Sequence, residues 1–226
     1  MPRGVMSFAV RASIDYLPTF SNLSTWGKRT NTKCKMCNNK ETLHHILNNC
    51  TTFLNQGRYT YGGIIPPFPP LSTALNLNFR RIPLPLPTGG TINGGTVPPN
   101  ILPTSQRPDL VIVDNEEKAI FIIELTIPFE RNITNANNRK KEKYSSLVSD
   151  INATGFKCTL KCIEIGSRGY ISKANKKSLR AIFKFIGAKF NKEVLNDISK
   201  TTLLCSYAIW NAKHDPSWEE CPYLKI

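Results

Sequence analysis

No stretch of this chain approaches the roughly 20 apolar residues that carry a helix across a bilayer, so a membrane-spanning protein is not expected. The N-terminal MPRGVMSFAVRASID also lacks the order of charge, apolar run and small residues that marks a secretory signal. Acidic residues are scarce. Sixteen Asp and Glu stand against 30 Lys and Arg in 226 residues, a formal charge of +14. That excess favours a polyanion: nucleic acid ahead of an anionic membrane surface or a merely solvated face. A full disulfide framework is not expected either, because seven cysteines is an odd number and three crowd between Cys34 and Cys50. Crowded thiols of this kind suggest a reducing compartment and metal-bound thiolates.

The positive charge is unevenly distributed. From Arg131 to Lys192 there are 15 basic residues and three acids (Glu142, Asp150, Glu164), which is +12 of the total. Gly62 to Pro108 holds 11 of the 16 prolines and six glycines, has no acid, and carries only Arg80, Arg81 and Arg107 as charges. Pro67, Pro70, Pro83, Pro85 and Pro87 exclude regular helix or central strand, so an irregular arm or linker is expected over Gly62–Pro87. Ahead of it, Met6, Phe8, Ala9, Val10 and Ile14 are spaced for one face of a short N-terminal helix.

Cys34, Cys37, His45 and Cys50 form C-x2-C-x7-H-x4-C. Two cysteines on a tight turn chelate from one side, and a histidine and cysteine five apart close a tetrahedron from the other. Zn²⁺ favours such sulfur and nitrogen sets, and four protein ligands leave no position for chemistry. The site therefore reads as structural, its metal supplying folding energy to a short segment. His44 stands beside His45 as the alternative ligand, and the apolar neighbours Leu43 and Ile46 do not choose between them.

Two short apolar runs follow the linker: LVIV (Leu110 to Val113) and AIFIIELTI (Ala119 to Ile127). Both are β-branched and bounded by turn residues, which predicts two strands about a turn near Asn115–Lys118. Asp109 opens the first and Glu124 lies late in the second, 7.5 residues either side of the turn centre, so they should stand opposite one another. Carboxylates so placed are costly to bury unless paired or bound to a cation such as Mg²⁺. Asp114, Glu116 and Glu117 read as turn residues, and Glu130 as a further ligand or a helix-start acid. A helix is expected from Asn135 to Ile151, with Lys140, Tyr144, Leu147 and Ile151 on one face and Lys143 at its edge. A third strand over Phe156–Gly166 should turn Phe156, Cys158, Leu160 and Cys162 one way; helices over Lys173–Ile186 and about Lys192–Ala212 follow.

Taken together, Pro108-Asp109, Glu124-Leu125-Thr126 and a Lys-rich helix ending Lys143-Tyr144, after a Cys-Cys-His-Cys knuckle, resemble the C-terminal region of site-specific non-long-terminal-repeat retrotransposon polyproteins. LPTFSNLSTWGKR, NQGRYT (Asn55 to Thr60) and GGTVPPNILPTSQRPDL (Gly94 to Leu110) extend the resemblance over most of the chain. It implies an α/β, restriction-endonuclease-like core of mixed sheet and flanking helices (107–226). Before it would come a remnant of a larger polyprotein (1–30), a zinc knuckle (31–61) and a Pro/Gly-rich linker (62–106). It also implies a nuclear DNA endonuclease of the Pro-Asp…Asp/Glu-x-Lys type, nicking a target for reverse transcription by an upstream polymerase domain. Asp109 and Glu124 would bind catalytic Mg²⁺. Thr126 stands where the superfamily has lysine. The resemblance implies that the lysine of this branch lies on the following helix, where Lys140, on the Tyr144/Leu147 face, ranks first, Lys143 second and Lys141 third. Arg168, Lys173, Lys176, Lys177 and Arg180 would hold the DNA backbone, with element RNA as a second partner. After Arg58-Tyr59-Thr60 the chain departs from the family pattern with YGGIIPPFPPLS. The alternative reading is a catalytically inactive, nucleic-acid-binding remnant with a structural zinc.

Overall fold

A computed structural model of the chain describes residues 1–59 and 91–216. Of the expected Pro/Gly-rich linker (62–106), residues 62–90 lie outside the described residues and 91–106 are described. The described chain divides into two compact units, each assembled from separate stretches. One comprises 1–59, Gly166–Tyr170 and 197–216; the other comprises 91–165 and 171–196.

The second unit is α/β. Its sheet has four strands in the order β1 (Thr91–Ile92), β2 (Leu110–Asp114), β3 (Ala119–Thr126) and β4 (Lys157–Glu164). β1, β2 and β3 pair antiparallel, and β3 pairs with β4 in parallel, so the sheet is mixed. The β2–β3 turn is closed by Asp114, whose Oδ1 accepts the amides of Glu116 and Glu117 at 3.1 and 3.0 Å. That local bond explains why an acid ends a buried strand. The turn sets Leu110 opposite Ile123 and Asp114 opposite Ala119, the register expected from its centre.

The parallel β3–β4 step needs a crossover, which two helices supply: α4 (Ile133–Lys143) and α5 (Ser145–Ala153). One helix is expected here from the sequence; the structure breaks it at Tyr144, where φ is −104° and ψ is 8°. Tyr144 is fully buried and its hydroxyl donates to Arg107 O at 3.1 Å, which draws the residue inward and bends the helix there. Gly155, at φ 87°, ends the crossover in a conformation that glycine adopts without strain.

Period-two alternation sorts the sheet residues onto two faces. Val111 and Val113 of β2 join Ile120 and Ile122 of β3, and Tyr144, Leu147 and Ile151 pack on them, with Phe156, Cys158 and Leu160 at the margin. The opposite face carries Phe121, which stacks on Phe185 at 4.2 Å. Phe185 belongs to α6 (Lys173–Phe185), which buries Leu179, Ile182 and Phe183. Helices therefore cover both faces.

The first unit is helical. α1 (Arg3–Ser13) buries Val5, Phe8 and Ala12, whereas Met6, Val10 and Ile14 of the expected face are exposed. Phe8 meets Tyr207 and Trp210 of α7 (Lys192–Asn211), whose length from Asp197 onward belongs to this unit. α2 (Phe20–Thr25) and α3 (Thr51–Asn55) flank the cysteine cluster. Two buried charges tie that region to the end of α7. Glu41 accepts from Phe20 N at 3.1 Å and lies 3.0 Å from His214 Nε2. Arg58 donates to Ala212 O at 2.7 Å and Asp215 O at 2.5 Å while lying over the Phe53 ring. The guanidinium thereby gives Asp215 O a donor and adds a second one to Ala212 O, which also accepts from Asp215 N at 3.0 Å.

Arg58→Met keeps much of the bulk but removes the donors to Ala212 O and Asp215 O. It should destabilise the first unit by about 2–3 kcal/mol, read as an earlier urea transition in Trp emission. An unchanged midpoint would show that the fork contributes nothing.

Candidate functional site

The first cluster is Cys34, Cys37, His45 and Cys50, whose ligating atoms all lie within 4.8 Å of one another. Its first half is a tight turn. Cys34 N donates to Asn39 O at 2.7 Å, Asn38 N to Cys34 O at 3.0 Å, and Asn38 takes the left-handed φ of 65°. The second half is a widened helical turn, His45–Asn49, running into Cys50. Thr42 Oγ1 accepts from His45 N at 3.1 Å and the Tyr59 hydroxyl accepts from Cys50 N at 2.9 Å, fixing the ends of that turn.

His45, not His44, enters the cluster. Its Nε2 is 3.2 Å from Cys37 Sγ, while His44 faces the Asn49 amide at 3.1 Å. Burial lowers the His45 pKa against the opposing charge of Glu41, so the ring is neutral and ready to ligate. Burial would raise the Cys37 thiol, but the Asn39 amide and neighbouring thiols outweigh it and bring the pKa down. Cys50, buried and crowded by the other thiols, is pushed up to about 12. Three thiols and an imidazole at this spacing suit a tetrahedral zinc site, with Cys34, His45 and Cys50 buried.

The second cluster lies where β2 begins and β3 ends. Asp109 and Glu124 occupy the rung beyond Leu110–Ile123. Asp109 N donates to Glu124 Oε1 at 3.2 Å, and Leu125 N donates to Asp109 Oδ2 at 2.6 Å. Lys140 of α4 reaches down to Glu124 Oε2 at 2.5 Å. Glu124 is 1% exposed, and the ammonium is the partner that such burial requires. Asp109 is exposed at the rim, yet surrounding protein still desolvates its carboxyl and raises its pKa. The Glu124 charge adds to that rise, while the Leu125 amide, Lys140 and Lys143 oppose it.

The candidate lysines separate clearly. Lys143 donates to the Tyr144 hydroxyl at 2.8 Å and Lys141 is exposed. The Tyr144 pKa is raised, first by burial and then by Glu124 and Asp109. Glu130 opens a short turn, Glu130–Asn132, ahead of α4.

Glu164 was legible only as one of three acids in a basic stretch, but it is 2% exposed and belongs to this face. It pairs in register with Thr126, two residues beyond the Glu124–Cys162 pair. Both its carboxylate oxygens accept from Asn137 of α4, at 3.0 and 3.1 Å. Burial raises its pKa against these bonds. Strand parity is the signal that finds it, since Glu164 continues the series Cys158, Leu160, Cys162. Thr126 Oγ1 is buried and has no partner among the described residues.

The basic residues fall in two places. Lys173, Lys176, Lys177 and Arg180 are exposed along one face of α6, with Lys184 continuing the row. α6 covers the sheet face opposite α4, but its first turn reaches the acidic end of the sheet, because the Asn175 amide donates to Glu164 O. Arg168 belongs to the other unit, where it donates to Ala12 O at 3.0 Å. No family model matches this chain, and no curated protein matches it.

One zinc per chain is the expected content of purified protein. His45→Ala and Cys50→Ser should lose it and loosen the first unit, while His44→Ala retains it. Metal analysis of the three variants distinguishes these outcomes.

Proposed function

We propose that the second unit is a Mg²⁺-dependent DNA endonuclease on a restriction-endonuclease-like core. It would be carried beside a structural zinc knuckle in a protein of the non-long-terminal-repeat retrotransposon kind. The observation behind this reading is the convergence of Asp109, Glu124 and Lys140 on one sheet face. Asp109 and Glu124 would hold the metal: one carboxylate is open to solvent and the other is fixed by Lys140. Bound there, Mg²⁺ would neutralise the scissile phosphate and lower the pKa of an attacking water. Lys140 keeps a positive charge beside that position and would turn from Glu124 toward developing charge on the phosphate. Lys143 donates to the Tyr144 hydroxyl, which in turn donates to Arg107 O, two residues before Asp109.

The α6 row would meet the DNA backbone without reading sequence. Cations at i, i+4 along one face repel, and phosphate relieves that repulsion. Given the sheet geometry, Lys173, Lys176 and Lys177 in the first turns are the residues nearest the acidic end. In this reading the nick primes reverse transcription by a linked polymerase domain in the nucleus, with element RNA as a second partner.

A second reading has its own observation. Both Glu124 oxygens already accept bonds, and Thr126 holds the superfamily lysine position with an unpartnered hydroxyl. This is the arrangement of a binding remnant that no longer cleaves.

Nicking of supercoiled DNA with Mg²⁺ separates the two. Asp109→Ala or Glu124→Ala should lower the rate about 100-fold or more, and Lys140→Ala by a similar order, with DNA binding retained. Lys141→Ala should leave the rate near wild type. Wild-type protein that never nicks supports the remnant.

DNA affinity should fall steeply with salt. Replacing Lys173, Lys176 and Lys177 together by Ala should flatten the log–log slope by roughly 2–3. A slope unchanged by the triple substitution would remove α6 from the interface.

A further inference from the structure

The first unit carries an aromatic pair, Tyr16 exposed and Trp26 half-buried, that neither cluster uses. Tyr16 and Trp26 lie with ring centroids 4.8 Å apart and planes inclined by 43°. Tyr16 follows the end of α1, its amide donating to Arg11 O at 2.7 Å; Trp26 caps α2, its amide donating to Asn22 O at 2.9 Å. The two helix ends are joined by one side chain. The Asn22 amide donates to Asp15 O at 2.7 Å and to Leu17 O at 2.9 Å, and Thr19 Oγ1 caps α2 by accepting from Asn22 N at 3.1 Å. The pair is therefore held by backbone geometry rather than by burial. Tyr16 is 57% exposed, so most of its ring has no protein neighbour.

The charge of this stretch is mostly positive. Residues 1–59 contain eight Lys and Arg and two acids. Arg58 and Glu41 are buried, leaving seven cations against Asp15 at the surface. Arg11 and Lys28 flank the pair directly in sequence and are exposed, while Arg29 lies over the Phe20 ring at 3.5 Å.

An open aromatic face among cations is what an unpaired base and its phosphate require. A duplex offers no free base face to such a ring, because its bases are already stacked on one another. A protein partner would have to bring acids to answer Arg11 and Lys28 at its rim. We propose that Tyr16 and Trp26 form a stacking platform for single-stranded DNA, with Arg11 and Lys28 on its backbone. The choice of DNA rests on the endonuclease reading, in which a nick releases a strand end near this protein. Tyr16 presents its outer face to a base, Trp26 backs the ring, and the cations track the phosphates on either side.

The test uses the full chain, a dye-labelled dT12, a duplex of matched length and a U12 strand. Binding is read by anisotropy without added Mg²⁺, so a chain that never nicks still gives an answer. Tyr16→Leu preserves charge at an exposed position and should weaken dT12 binding roughly 5- to 100-fold. Duplex affinity and the salt slope should stay as in wild type, and Tyr16→Phe should restore dT12 binding. Trp26→Leu should weaken dT12 in the same sense. Wild-type affinity for dT12 in both leucine variants would overturn the platform. So would an equal loss on the duplex, which would mark a general folding defect. Tighter binding of U12 than dT12, lost in the same variants, would overturn the choice of DNA.

Discussion

The register of the β2–β3 hairpin is the constraint on which the second unit depends. With Asp114 closing the turn, Leu110 must face Ile123, and each rung further out follows. A slip of one residue would turn Val111 and Val113 away from the layer that holds Ile120, Ile122, Tyr144, Leu147 and Ile151. The same slip would send Asp109 and Glu124 to opposite layers. Core and candidate site therefore share one determinant, and neither can move without the other.

Burial of Glu124 follows from that geometry and has to be answered electrostatically. Lys140 answers it from α4, and Asn137, one turn earlier, does the same for Glu164. The crossover helix thus docks through apolar contacts at one end and polar bonds to two buried carboxylates at the other. A buried ion pair adds little net stability over an apolar pair of similar volume. Hydrophobic residues of similar volume could serve the fold at these positions, so stability alone does not account for the polar set.

The first unit solves a different problem. Its cysteine-rich turns are too short for a core of their own, and they lean on α7 through Glu41–His214 and Arg58 at the carbonyls of Ala212 and Asp215. A metal at the four-ligand cluster would add crosslinks among residues 34–50 that apolar burial there cannot supply. The positive charge is then left for the outside. It runs along α6 in one unit and over the surface of residues 1–59 in the other.

Much of this was legible from local pattern. Alternation and turn chemistry predict β2, β3 and their register; the helical period predicts that Tyr144, Leu147 and Ile151 face inward; cysteine spacing predicts the four-ligand cluster. These are short-range properties, because a turn, a period or a chelating loop is specified by residues close in sequence. Other features depended on distant residues. His45 rather than His44 enters the cluster because the Tyr59 hydroxyl, donating to His45 O at 3.1 Å, orients its turn. Tyr144 breaks the expected single helix because Arg107 O lies within its reach. Met6, Val10 and Ile14 stay exposed because α7 takes the Val5, Phe8 and Ala12 side of α1. Glu164 is drawn into the acidic face because β4 pairs in parallel beside β3, and Arg168 is drawn from the basic series to the end of α1. The chain by itself determined which residues alternate, turn and chelate. Which of the remaining polar groups meet was decided by tertiary packing, since their partners stand 8 to 173 positions away and a local pattern has no term for them.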